Sequence, residues 1–124
     1  MKIIITTVTP NIETEVDPRF GRGAYLLVVD PATLEWQAHP NPGVNAPGGA
    51  GIKAAQFVVE QKVGAVISGD FGPNAFSALN AANVPMYVFG ATRTARDVIA
   101  RFNAGQLERV GTATRADGHS ESKP

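Results

Sequence analysis

The chain contains no cysteine. That excludes disulfides, a cysteine nucleophile, thiolate-bound zinc and iron–sulfur clusters ligated through Cys side chains. Histidine is sparse, with two among 124 residues, and His119 falls in a polar C-terminal stretch. An excess of either charge is also missing. Eleven Lys plus Arg balance eleven Asp plus Glu, so no global field draws the protein to nucleic acid or to an anionic membrane, and any recognition of an anion has to be local. No apolar run approaches the roughly 18 to 20 residues that span a bilayer. The amino-terminal MKIIITTVTPN breaks at Pro10 before the core of a signal peptide forms. A cytoplasmic protein without nucleic-acid or membrane partners is therefore expected. Catalytic constellations are lacking too. No Ser-His-Asp order with a nucleophile elbow is present, and the first apolar run carries no acid. Asp17, Asp30 and Asp70 share no spacing that would gather divalent metals for a nuclease. The chain is not expected to be an enzyme.

The apolar fraction of 44% is enough for one core in a chain of this length, and two domains would not fit. Lys2 to Val8, Tyr25 to Val29 and Leu34 to His39 read as strands, with turn chemistry at Asp30-Pro31-Ala32-Thr33 joining the last two as a hairpin. Beyond the loop from Pro40 to Gly51 the period becomes helical through Ile52, Ala55 and Val59 and ends near Lys62, with Gly64 as a stop. Ala65 to Ser68 then reads as a buried strand, Pro73 to Ala82 as a helix and Pro85 to Phe89 as a strand. A last helix is opened by Thr94 and Asp97 in the manner of a capping box and closed by Gly105. The order βββαβαβα predicts an α/β fold: a ribonuclease H-like mixed five-stranded sheet with helices on its faces. The domain is expected over residues 1–112, with 113–124 a disordered polar tail.

Four loops are expected to gather beyond the carboxyl ends of the parallel strands, where open sheets of this kind bind ligands. In Asp17-Pro18-Arg19-Phe20-Gly21-Arg22-Gly23, two arginines three residues apart offer planar donor forks to an oxyanion or sulfido anion; the same string also reads as a solvated turn in which Asp17 pairs with an arginine. The turn Gly48, Gly49, Ala50, Gly51 runs into the helix carrying Lys53 and reads either as an anion site of backbone N–H groups or as close packing. It matches neither the dinucleotide fingerprint nor the phosphate loop. Ser68 to Asn74 forms the third loop. Gly90 to Thr94 is the fourth, placing Arg93 at the start of the last helix. His39 ends the third strand, where it is either a metal ligand or a packing residue.

Together, VDPRFGRGAYLLVVD and GGAGIKAAQFVVEQKVGAVISGDFGPNAFSALNAANVPMYV resemble the dinitrogenase iron-molybdenum cofactor biosynthesis family, over about Met1 to Val110. The resemblance implies a ribonuclease H-like fold and the binding or carriage of a metal–sulfur cofactor or its precursor. Stand-alone, cysteine-free members imply a molybdenum–copper sulfide cluster held without covalent ligation. The alternative cargo is an iron-molybdenum cofactor precursor, and outside the binding class stand a protein–protein regulatory module and a small hydrolase. An unidentified protein partner is expected in addition to the cluster. The family's motif positions carry over onto Arg19, Phe20, Gly21 and Arg22, then Gly49, Gly51 and Lys53, then Gly72 and Asn74. Gly48 adds to these as part of the glycine turn, and His39 is the one candidate metal ligand.

Overall fold

An uncharged β-branched run belongs in the middle of a sheet covered on both sides, and Ile3–Thr7, three isoleucines and two threonines, is buried throughout. In the computed structural model, which describes residues 1–111, the elements run β1 (Ile3–Thr7), β2 (Tyr25–Val29), β3 (Trp36–Pro40), α1 (Ala50–Glu60), β4 (Ala65–Ser68), α2 (Pro73–Ala81), β5 (Met86–Val88), α3 (Ala95–Asn103) and β6 (Glu108–Arg109). They form one mixed sheet in the order β3-β2-β1-β4-β5-β6. β1, β4 and β5 are parallel, and the remaining pairings are antiparallel. The expected hairpin is there. Its turn is held by the Asp30 carboxylate, which accepts the N–H groups of Ala32 at 2.8 Å and Thr33 at 3.3 Å.

The sheet has six strands where five were expected. The sixth, Glu108–Arg109, is two exposed charged residues with no apolar alternation. Only its ladder to β5, Val88 opposite Glu108 and Tyr87 opposite Arg109, makes it a strand. The expected tail, 113–124, lies outside the described residues. No helix among the described residues is long and apolar enough to cross a membrane.

Alternation along the strands divides the core in two. Ile4, Leu26, Val28, Val66 and Met86 pack with Ala54, Ala55 and Val58 of α1 and with Ala75 and Leu79 of α2. Ile3, Ile5, Leu27, Val29, Ala65 and Ile67 pack with Ala95, Val98 and Ile99 of α3. The helices start differently. α3 has a side-chain cap, in which Thr94 Oγ1 accepts the N–H of Asp97 at 3.2 Å. α1 and α2 start from Gly49 and Gly72 with no side-chain cap and no acidic residue in the first turn. Those two open helix ends lie on the same side of the sheet, and both reach the candidate site.

Candidate functional site

The first site loop is bound to the ends of β1 and β4. Two fully buried hydroxyls, Thr6 Oγ1 and Ser68 Oγ, lie 2.8 Å apart. Thr6 Oγ1 also donates to the carbonyl of Asp17 at 2.6 Å, and the Asp17 N–H donates to the Thr6 carbonyl at 2.8 Å. The Asp17 side chain is buried and accepts the backbone N–H groups of Arg19 at 3.1 Å and Ala24 at 3.2 Å, together with Nε and Nη2 of Arg19, each at 3.1 Å. Burial pushes this carboxyl up. The hydrogen bonds from Arg19 and Ala24 and the guanidinium charge outweigh it and hold the group below the usual carboxylate range. Asp17 therefore stays ionised, organises the loop around itself and fixes Arg19 at its rim.

Close approach brings the other two loops in. A Cβ on Gly21 would stand 2.9 Å from the backbone nitrogen of Gly51, so the loop can lie against the first turn of α1 only as glycine. A Cβ on Gly69 would stand 2.6 Å from Pro18 Cα, and the Asp70 N–H donates to the Pro18 carbonyl at 3.0 Å. These contacts enclose a cavity of about 260 Å³ lined by Arg19, Phe20, Gly21 and Arg22, by Gly49 to Ile52 of α1, by Asp70, and by Gly72 to Ala75 of α2. Phe20 is buried beneath it, with its ring 5.2 Å from that of Phe71. In α1 the bond from the Lys53 N–H to the Gly49 carbonyl, 3.0 Å, closes the first turn; in α2 the Phe76 N–H bonds Gly72 at 2.9 Å. The N–H groups ahead of those bonds belong to the residues that line the cavity, and both helix dipoles add partial positive charge there.

Eight of the expected positions meet in this cavity: Arg19, Phe20, Gly21, Arg22, Gly49, Gly51, Gly72 and Asn74. Gly48, Lys53 and His39 do not line it. Gly48 is exposed and open-sided. Lys53 is exposed on α1, away from the face that carries Ala50, Ala54, Ala55 and Val58, because helical periodicity turns it outward. His39 packs on α1, its ring 5.1 Å from Phe57, with Nε2 buried and unpartnered. Among the described residues no group of three or more His, Cys, Asp or Glu is placed to hold a metal ion. The fourth loop also falls elsewhere: the Arg93 carbonyl accepts the Val16 N–H, and Arg93 borders a separate depression with Glu15 and Pro18.

Five further residues contribute that the sequence did not single out as site positions. Ala50, Ile52, Pro73 and Ala75 complete the wall, though only the neighbouring glycines signalled it. Asn41, buried, donates Nδ2–H to the Phe20 carbonyl at 2.8 Å and accepts the Gly43 N–H at 2.9 Å, with no local pattern to announce it.

A family model for the dinitrogenase iron-molybdenum cofactor matches residues 1–105. The chain belongs to that family. Membership associates it with binding or carriage of a molybdenum-related cofactor. The apo form of the orange protein from Desulfovibrio gigas superposes with a TM-score of 0.86 at 35% sequence identity, covering 92% of this chain and 96% of that one. A NifB-like Thermotoga protein of the DUF35 family gives a TM-score of 0.78 at 32% identity over 92% of this chain and 97% of its own. No curated protein matches the sequence.

Proposed function

We propose that the protein is a non-catalytic carrier that holds an anionic molybdenum–copper sulfide cluster by hydrogen bonds and charge, without a bond from protein to metal. The observation that carries this reading is the cavity in which two uncapped helix N-termini meet Arg19 and Arg22. The donor set fits such a cargo. It consists of backbone N–H groups, the Arg19 guanidinium and the Asn74 amide, beside an apolar wall of Phe20, Ile52, Pro73 and Ala75. A thiometallate cluster brings its own sulfide ligands, so it needs from the protein only donors, positive potential and a dry surface. Sulfur accepts hydrogen bonds weakly, and many N–H groups at once suit it better than one strong contact. Arg19 is the most adaptable donor: its side chain is 61% exposed although two of its nitrogens rest on Asp17.

The test is reconstitution of the apo protein with tetrathiomolybdate plus either copper or iron, followed by absorbance and elemental analysis. A visible charge-transfer band with Mo and Cu retained through gel filtration is expected. Retention of Fe with Mo would make an iron-molybdenum cofactor precursor the cargo, and a protein that stays colourless with both metals would overturn the carrier reading. Arg19→Ala is expected to weaken the molybdenum–copper complex about tenfold or more, the scale of one charge-assisted hydrogen bond.

A further inference from the structure

The two arginines of the first site loop are held in different ways. Arg19 rests on a carboxylate and is largely exposed. Arg22 turns Nη1 onto a run of backbone carbonyls, those of Ala46 at 2.7 Å, Val44 at 3.4 Å and Gly43 at 3.5 Å. The segment it grips lies between the site loop and α1. Asn41 ties its start to Phe20 and to Gly43, and Gly43 packs so closely on Gly21 and Ala50 that a Cβ there would strike both backbones. Beyond Ala46 come Pro47, Gly48 and Gly49, and a Cβ on either glycine would meet nothing within 4 Å. Gly49 is left-handed, with φ +68°, and it is the residue from which α1 starts.

A glycine pair without lateral contacts costs conformational entropy to order, so the direction in which it delivers α1 depends on the anchor just before it. That anchor is the Arg22 contact to Ala46. We infer that Arg22 is a positioning residue: it holds the 43–46 segment so that the Gly48-Gly49 turn presents the N-terminus of α1 to the cavity, while Arg19 is the guanidinium that meets the anion. The inference rests on the carrier reading for its effect on binding, but the hold on the turn is a property of the unliganded protein.

The experiment combines amide hydrogen exchange on the apo protein with titration of tetrathiomolybdate plus copper at low and high salt, for wild type, Arg19→Ala, Arg22→Ala and Arg22→Lys. Arg22→Ala is expected to speed exchange over residues 46–51 with little change in Tm. It should also raise Kd about tenfold at both salt concentrations. Arg22→Lys, whose ammonium can reach the same carbonyls, is expected to restore protection and most of the affinity. Arg19→Ala should leave exchange at 46–51 unchanged and lose its deficit at high salt, where the screening length shrinks to about 3 Å at 1 M. Unchanged exchange in Arg22→Ala, or a deficit that fades with salt as in Arg19→Ala, would overturn the inference and make Arg22 a direct anion contact. Should Arg22→Ala melt globally, Arg22→Gln takes its place with the same expected exchange pattern. Failure of wild type to bind the probe would sink the carrier reading, while the exchange data still judge the role of Arg22.

Discussion

Asp17 has four N–H donors around a carboxylate that is 2% exposed. Its folded pKa lies below the ordinary carboxylate value of about 3.9 because those bonds and the Arg19 charge overcome the upward push of burial. The sign of the pH dependence follows. The unfolded chain binds the proton more tightly, so the contribution of Asp17 to stability is complete above about pH 4 and is lost as pH falls through the folded value. In Arg19→Ala the side-chain bonds and the charge disappear and the folded pKa moves up toward the unfolded one. Thermal melts from pH 7 to about pH 2 are therefore expected to show a shallower acid loss in Arg19→Ala than in wild type. Identical acid arms would mean that the backbone N–H groups alone hold the carboxylate. The Asp-Pro-Arg string was legible as an anion loop or as an ion-paired turn. The structure forms the ion-paired turn, with Arg19 on Asp17, and sets the loop against the cavity; which nitrogens face Asp17 was a matter of tertiary placement.

At the scale of elements, the three helix starts divide the labour. Thr94 caps α3 with its own side chain, and Thr94→Ala is expected to cost about 1 kcal/mol, read as a Tm lower by a few degrees. An unchanged Tm would show that β-sheet packing, rather than the cap, sets the start of α3. The starts of α1 and α2 are glycines instead. A side-chain cap there would occupy the N–H groups that the proposed cargo would use. Gly21 makes this arrangement possible through its approach to Gly51. Gly21→Ala is expected to push α1 away, with a stability loss of about 1 to 3 kcal/mol and a loss of cluster binding larger than that of Arg19→Ala. Tight binding by Gly21→Ala would show that the α1 terminus is not part of the binding surface. The Gly48-to-Gly51 turn was recognisable as a helix start, either an anion site or close packing, but Gly48 and Gly49 could not be told apart by pattern. Only their angular position around the helix start puts Gly49 on the lining and Gly48 outside it.

For the whole molecule, the site is a by-product of how the sheet is covered. α1 and α2 pack side by side on one face, with Gly51 against Ala75, so their N-termini open toward the same cavity. Phe71, fully buried with its ring tilted against that of Phe20, joins that core to the floor of the site. Phe71→Ala is expected to cost about 3 to 5 kcal/mol, a large part of a typical total of about 5 to 15. Folding and cluster binding should therefore fail together in urea titrations, whereas Arg19→Ala is expected to lose binding with a much smaller drop in its urea midpoint, the loss of its support for Asp17. Retained binding in Phe71→Ala would separate the site from the core.

The sequence by itself determined the elements that periodicity and punctuation encode: β2 and β4 at their observed bounds, the hairpin on Asp30 and the capped helix at Thr94; the eight cavity-lining positions came with the family motif. Apolar period, turn residues and glycine placement are local signals, and they act over the same few residues in which they are written. The tertiary structure alone decided the rest. β6 exists because Glu108 and Arg109 find an open edge on β5. Lys53 and His39 leave the site because helix and strand phase point them elsewhere. Arg22 turns to carbonyls more than twenty residues away in the chain. Each of these depends on contacts between residues far apart in sequence, whose pairing is set by the packing of the complete sheet and not by any stretch of it.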